Sequence, residues 1–240
     1  LYETVVDELC TDRRAGVAVP AKMVCSTATI RRYAAQVRAL YGRADVALFP
    51  PPGLCADDSF FARYARNQDG VHAPGTIYVG VYAPGLGSLQ TAEVRSFVSL
   101  LQAPVALSAE ERDPWWTLVV FFNSLRELGT TLSLFQSDIP DYLKVLRNRI
   151  GADYSEMRRL HHVQELTGRL RSDEVPQAIS ALEMTCSASS GWPVDACLAS
   201  NIIEVGIDID RLSLMCVVGQ PKATSQYIQA TGRIGRRWWD

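Results

Sequence analysis

The sequence lacks the side-chain spacings that hold a structural metal. None of its six cysteines, at 10, 25, 55, 186, 197 and 216, pairs as C-x-x-C, and its three histidines make no zinc-like spacing with them. Scattered thiols in a chain of 240 residues suit a reducing cytosol, where a buried cysteine behaves as a small hydrophobe, so a cytoplasmic location is expected. An excess of one charge is missing too. The 24 Lys and Arg against 26 Asp and Glu leave a net charge of -2, so bulk charge does not advertise nucleic-acid binding, although one groove could still be basic. No apolar run reaches membrane-spanning length and no signal peptide is evident, which argues against a membrane partner. There is no G-x-x-x-x-G-K-[ST] loop, whose amides and lysine hold the β- and γ-phosphates of a nucleotide; GQPKATS at 219–225 lacks the second glycine and the spacing. Internal repeats are absent as well.

What is there reads as a soluble globular α/β protein, with hydrophobic residues at 48% and charged residues at 21%. Residues 1–10 have helical spacing of Leu1, Val5 and Leu9. AKMVC and DVALFP read as strands, and the helix RRYAAQVRALYG between them is closed by Gly42. A polar stretch to about residue 75 lacks periodicity. From Thr76 strands and helices alternate. TIYVGVYAP, TLVVFFNS, HHVQELTG, DACLAS and LSLMCVVGQ read as strands. SLQTAEVRSFVSLLQ (capped by Ser88), SLRELGTTLSLFQ, IPDYLKVLRNRI, SDEVPQAISALE (capped by Ser172) and TSQYIQATGR read as helices. Strands apolar on both faces, alternating with helices, argue for a parallel sheet covered on both sides. The likeliest division lies near residues 50–75.

The chemistry concentrates in the last forty residues. ASNIIEVGIDI is followed by an apolar strand and then by GQPKATSQYIQATGRIGRR. Arg233 and Arg236 are three apart and share one face of a helix or tight turn. Two guanidiniums converging on one point suit a polyphosphate whose charge grows during cleavage; arginine keeps its proton and its planar fork reaches two oxygens at once. Gly232 and Gly235 let the backbone come close to a ligand. The bland reading is a solvated basic helix end, and the order of the two segments around one strand weighs against it. His161-His162 more simply border a strand, Trp115-Trp116 pack, Arg31-Arg32 lie on a solvated helix face, and Lys222 meets water.

The ordered set resembles superfamily 2 helicases. Thr27-Ala28-Thr29 is similar to motif III, VVFFNSLRELG at 119–129 to motif IV, ASNIIEVGIDI at 199–209 to motif V and QATGRIGRR at 229–237 to motif VI. STATIRR, the PPPG turn and VVGQPK further resemble the helicase of the bacterial DISARM phage-defence system and its relatives. The resemblance implies a RecA-like parallel sheet covered by helices at 76–240, the end of a first RecA-like domain at 1–50, and a linker at 51–75. It implies ATP and Mg2+ as ligands of an intact parent, and nucleic acid, preferably DNA, as its track. Further partners would be the parent's first RecA-like domain and possible defence-system proteins. Arg236 would be the finger reaching the γ-phosphate, with Arg233 assisting. Gln229, Gly206, Asp208 and Gly232 would line the nucleotide, Asp208 at the ribose or holding an arginine. Ser200, standing where the family has threonine, Asn123, Ser124, Thr167 and Arg169 would contact the strand's phosphates, and Thr27, Ala28 and Thr29 would couple the domains.

The departures matter equally. No Asp-Glu box for magnesium is credible, because DELC at 7–10 lies in an amphipathic helix rather than at the end of an apolar strand. The chain begins with Leu and ends in Trp-Trp-Asp, so it is expected to be part of something longer. The parent would be an ATPase and this portion alone inactive. Two rivals stay open: a duplex-DNA translocase of a restriction or remodelling system that does not separate strands, and a catalytically silent interaction module.

Overall fold

A computed structural model describes residues 2–27, 32–51, 53–54, 60–61, 63–73, 75–187, 191–200 and 209–236. The chain divides into two compact units, 1–74 and 75–240.

The first unit holds helices α1 (Tyr2–Leu9) and α2 (Tyr33–Tyr41), the latter ended by Gly42 in the left-handed region at φ 66°. Asp7 of α1 pairs with Arg43, just past α2. Two isolated antiparallel bridges, Asp12 with Val19 and Arg66 with His72, are its only β pairing among the described residues. AKMVC and DVALFP are not strands here. A strand apolar on both faces needs neighbours to cover its backbone, and none is at hand. Val24 is 89% exposed and Phe49 76%, and no described residue of this unit is buried.

The second unit supplies α3 (Leu89–Gln102), α4 (Ala109–Trp116), β1 (Leu118–Phe122), α5 (Leu125–Gln136), α6 (Asp138–Ile150), β2 (Val163–Leu166), α7 (Glu174–Glu183), β3 (Ala196–Ala199), β4 (Leu214–Val218) and α8 (Thr224–Thr231). The four strands form one parallel sheet in the order β2-β3-β1-β4, with Leu118 opposite both Ala196 and Leu214. This is the α/β architecture expected from the alternation of apolar runs and helices.

Side chains alternate across the sheet as a period of two requires. Leu118, Val120, Phe122, Ala196 and Leu198 face α3, α5 and α6 through Phe97, Leu101, Leu128, Phe135 and Ile139. Val119, Phe121, Cys197 and Ala199 face the other way, onto Leu182 of α7, Ala230 of α8 and the flanking Ile209, Leu212 and Ile234. β1, buried at all five positions, is the spine between the two layers. At about 25 cal/mol per Å² of apolar surface, burial of this kind is the main force holding such a sheet.

Three local expectations need correction. TIYVGVYAP forms no strand: Ile77, Val79 and Val81 are 85%, 78% and 71% exposed, and the segment pairs with no described strand. The N-cap of α7 is Asp173, not Ser172, and Arg171 N–H instead donates to Glu174 Oε2 at 2.7 Å. Helix α4 runs up to β1 through Trp115 and Trp116; it is started by a capping box in which Ser108 accepts from Glu111 N–H and Glu111 reaches back to Ser108.

Candidate nucleotide and nucleic-acid faces

The predicted site residues fall into two groups by the elements that carry them. The first gathers at the C-terminal ends of the strands. Leu166 is opposite Ala199 and Phe121 is opposite Ala199, so Thr167, Ser200 and Asn123, each just beyond a strand end, come to one edge of the sheet. Their polar atoms are largely engaged by the fold. Asn123 Nδ2 donates to the carbonyls of Val218 and Gly219 at 3.2 and 3.3 Å, which ties β1 to the end of β4. Ser124 caps α5: its Oγ accepts from Glu127 N–H at 3.3 Å and donates to Glu127 Oε2 at 2.8 Å. Thr167 is fully buried and its Oγ1 accepts from Arg169 N–H at 3.3 Å, so it shapes the turn that holds Arg169 at the surface. Ser200 is buried, and its N–H donates to the Leu166 carbonyl at 3.3 Å.

The second group lies on the α8 face of the sheet. Helix α8 ends where Gly232 N–H donates to the Ile228 carbonyl at 2.9 Å. A Cβ on Gly232 would stand 2.8 Å from that same carbonyl oxygen, so the close approach, rather than its φ, demands glycine. Gly235, in the left-handed region at φ 67°, donates its N–H to the Leu212 carbonyl at 2.8 Å. That bond ties the arginine turn to the segment just after the GIDI motif. Ile209, Leu212, Arg233 and Ile234 therefore line one cavity of about 10 Å³, too small to hold a water comfortably. Arg233 is half-buried there. Arg236 is exposed, with Nε donating to the Gly232 carbonyl at 2.8 Å, and Gln229 is half-buried on α8. Gly206 and Asp208 lie outside the described residues, as do Ala28 and Thr29; Thr27 is exposed on extended chain.

One residue that pattern reading missed fixes this face. Arg211 is held by Asp113 (Nε to Oδ2 3.0 Å), by Thr117 Oγ1 at 3.1 Å and by the Leu182 carbonyl at 2.7 Å, so the chain leaving GIDI is bolted to α4 and α7. Burial pushes the Asp113 carboxyl up, but the Arg211 guanidinium and the Cys186 N–H outweigh it and hold the group below the usual carboxylate range. Its position directly after GIDID was the available signal. A second missed element is the Arg158–Asp195 ion pair at 2.8 Å, whose side chains are 0% and 3% exposed. Asp195 Oδ2 also accepts from the His161 and His162 N–H groups, and the Arg158 guanidinium lies 3.2 Å from the centre of the Trp116 ring. His161 and His162 thus border β2, as the plain reading had it.

These motifs, their order and the sheet that carries them define a helicase-type RecA-like domain. Residues 119–237 match the family described as the helicase conserved C-terminal domain, and this part of the chain belongs to it. The chain is 40% identical over 98% of its length to the DISARM protein DrmA of Bacillus paralicheniformis (strain ATCC 9945a / NCIMB 11709 / CD-2), of which it spans 21%. Residues 119–237 thus form a helicase C-terminal domain, in a chain that is related to DrmA and covers about a fifth of that relative's length. Among solved structures it is similar to S. cerevisiae Dbp5 bound to RNA and ADP BeF3, at 16% identity, TM-score 0.38, 60% of this chain and 29% of that one. It is also similar to Mycobacterium smegmatis helicase Lhr bound to ssDNA and AMP-PNP, at 19% identity, TM-score 0.40, 63% of this chain and 16% of that one. No helix among the described residues is long and apolar enough to cross a membrane.

Proposed function

We propose that residues 76–240 form the second motor domain of an ATP-driven helicase or translocase acting on nucleic acid, preferably DNA, in a phage-defence system. Residues 1–50 would be the end of the first motor domain and 51–75 the connection. The observation that carries the reading is the meeting of the GIDI end with the GRIGR turn at one cavity, joined by the Gly235–Leu212 hydrogen bond. Residues more than twenty positions apart are thereby locked together, and Arg233 and Arg236 issue from a turn too constrained to be a fraying helix end.

ATP is the substrate in this reading, and the residues here suit only its phosphate end. Water attacks the γ-phosphate in line, and charge accumulates on the equatorial oxygens. Arg236, exposed and always cationic, would meet those oxygens, and Arg233 would assist from its half-buried position. Gln229 with the Gly206–Asp208 segment would link the nucleotide to the strand, while Thr27, Ala28 and Thr29 would relay closure between domains. Magnesium is assigned to no residue of this chain: no cluster of three or more His, Cys, Asp or Glu among the described residues could hold a metal. The phosphate loop is likewise absent from the sequence, so turnover needs the first motor domain.

The strand would run along the C-terminal strand ends. Backbone amides near Ser200 and the Arg169 side chain would take phosphates, contacts that position without reading sequence. The test is strand-stimulated ATP turnover by the full-length protein. Arg169→Ala should raise the oligonucleotide concentration needed for half-maximal stimulation several-fold, equally for unrelated sequences, and flatten its salt dependence by about one phosphate. Unchanged stimulation would remove the track assignment.

A further inference from the structure

A basic and aromatic strip lies at the opposite edge of the same sheet, before the N-terminal ends of β2 and β3. Along Arg158–His162, ahead of β2, burial alternates: Arg158 is buried and Leu160 packs on the core, while Arg159 and His161 are exposed. Arg159 lies over the Tyr154 ring at 4.4 Å, and Arg147, at the end of α6, lies over the same ring at 5.5 Å. His161, one strand step of about 7 Å from Arg159, stacks with Trp192 at 5.0 Å. Tyr154 is 60% exposed and Trp192 69%. The result is two neighbouring groups, Tyr154 with Arg147 and Arg159, and Trp192 with His161, joined through the exposed positions 159 and 161 of one segment.

The strip is held out by a buried base. Arg158 N–H donates to Gln102 Oε1, its guanidinium to Asp195, and the His161 and His162 N–H groups to Asp195 Oδ2, so the outward side chains between them are pre-positioned. Neither Arg147 nor Arg159 makes an ion pair among the described residues. The nearby acids are Asp153 and Glu156, and they are tied to each other in a capping box at the foot of Tyr154.

We propose that this strip is a second binding site for single-stranded nucleic acid, separate from the strand ends that carry Asn123, Thr167, Arg169 and Ser200. Bases stack on Trp192 and Tyr154, and Arg147 and Arg159 neutralise two phosphates. Stacking is indifferent to base identity because every base has a π-face, so the site is sequence-tolerant. It lies at the far edge of the domain from the proposed track, where a strand leaving or entering the motor would be held. An acidic protein segment fits the arginines but makes no use of the ring surface that Tyr154 and Trp192 still expose; the strand uses both.

The test is site-resolved photo-cross-linking of the full-length protein to a 5-iododeoxyuridine oligonucleotide about 12 nucleotides long, with peptide mapping, in the wild type and in Arg159→Glu, Trp192→Ala and Arg169→Ala. The expected result is adducts on Tyr154 and Trp192 in the wild type. In Arg159→Glu the remaining Tyr154 and Trp192 adducts fall by at least about fivefold, and in Arg169→Ala they persist. Their yield should fall with salt at a log–log slope near -1.4, the value for two phosphates on a single strand. All these side chains except Arg147 are exposed, and an unchanged melting temperature certifies each variant as folded. Adducts elsewhere but none on Tyr154 or Trp192 overturn the proposal, as do adducts there that ignore Arg159→Glu. Quenching of Trp192 by polyglutamate and not by the oligonucleotide, read against Trp192→Phe, overturns it in favour of a protein partner. Loss of adducts in Arg169→Ala alone would instead make the strip an extension of the proposed track.

Discussion

Replacing Asp195 by alanine should destabilise the 75–240 unit by about 3–5 kcal/mol, the usual cost of stranding one partner of a buried ion pair. The size follows from what the carboxylate holds. Oδ1 accepts from Arg158 Nη2 at 2.8 Å, and Oδ2 accepts from the N–H groups of His161 and His162 at 2.6 and 2.8 Å. Removal leaves three buried or half-buried donors without an acceptor, and hydrogen bonds to a charged group contribute about 1.5–3 kcal/mol each before compensation. Burial already lowers the Arg158 guanidinium to about 10 against the pull of Asp195, so without that carboxylate the cost of the buried group is unopposed. The assay is urea denaturation at pH 7 followed by tryptophan fluorescence, with the slope checked for constancy. The Arg158→Met/Asp195→Leu double variant should be less destabilised than Asp195→Ala, since no unpaired charge remains. Lys144→Ala, which breaks the exposed Asp141–Lys144 pair, should leave the urea midpoint nearly unchanged. A cost below about 1 kcal/mol for Asp195→Ala, or single-variant costs that simply add, would refute the reasoning.

Further outcomes follow from other sites. Gly232→Ala should cost about 1–3 kcal/mol, read as a lowered melting temperature, because its Cβ would press on the Ile228 carbonyl; an unchanged melting temperature would contradict the close approach. Glu93 is raised by burial and by the Glu127 charge, against the Thr131 hydrogen bond, so the folded state holds its proton more tightly than the unfolded chain. Its contribution is therefore full below the ordinary glutamate range and is lost as pH rises through the raised value. Glu93→Gln should remove that fall in urea midpoint. Asp113, lowered in the folded state, contributes above the ordinary aspartate range and loses that contribution as pH falls, so Asp113→Asn should flatten the acid limb of the same profile. The chain by itself should show no magnesium-dependent ATP turnover; clear turnover insensitive to Arg236→Ala would sink the proposed division of labour.

The sheet was legible because its strands are apolar on both faces and its helices carry caps. LVVFF reads as a buried strand, and HHVQELTG and DACLAS, also read as strands, hold β2 and β3. TIYVGVY reads the same way yet pairs with no described strand, because an apolar run states that a strand is wanted and not where its neighbour is. Helix α4 was not legible, although Ser108 and Glu111 form a capping box, because it carries Pro114 and has no apolar stripe that it buries. The motif residues at the strand ends were legible as positions. That Asn123, Ser124 and Thr167 turn their polar atoms to the backbone was not, because those partners lie on other strands or depend on local turn geometry. Arg158 and Asp195 were invisible for the same reason, being 37 residues apart in sequence.

The central claim is that the GRIGR turn delivers an arginine to ATP, and Arg236→Ala in the full-length protein tests it most directly. Steady-state ATP turnover and nucleotide affinity are measured together. A finger acts on charge that develops in the transition state, so turnover should fall on the order of a thousandfold while affinity changes little, and Arg236→Lys should restore little of the rate. Near-normal turnover in Arg236→Ala, with binding intact, would contradict the account and return the turn to a plain basic helix end.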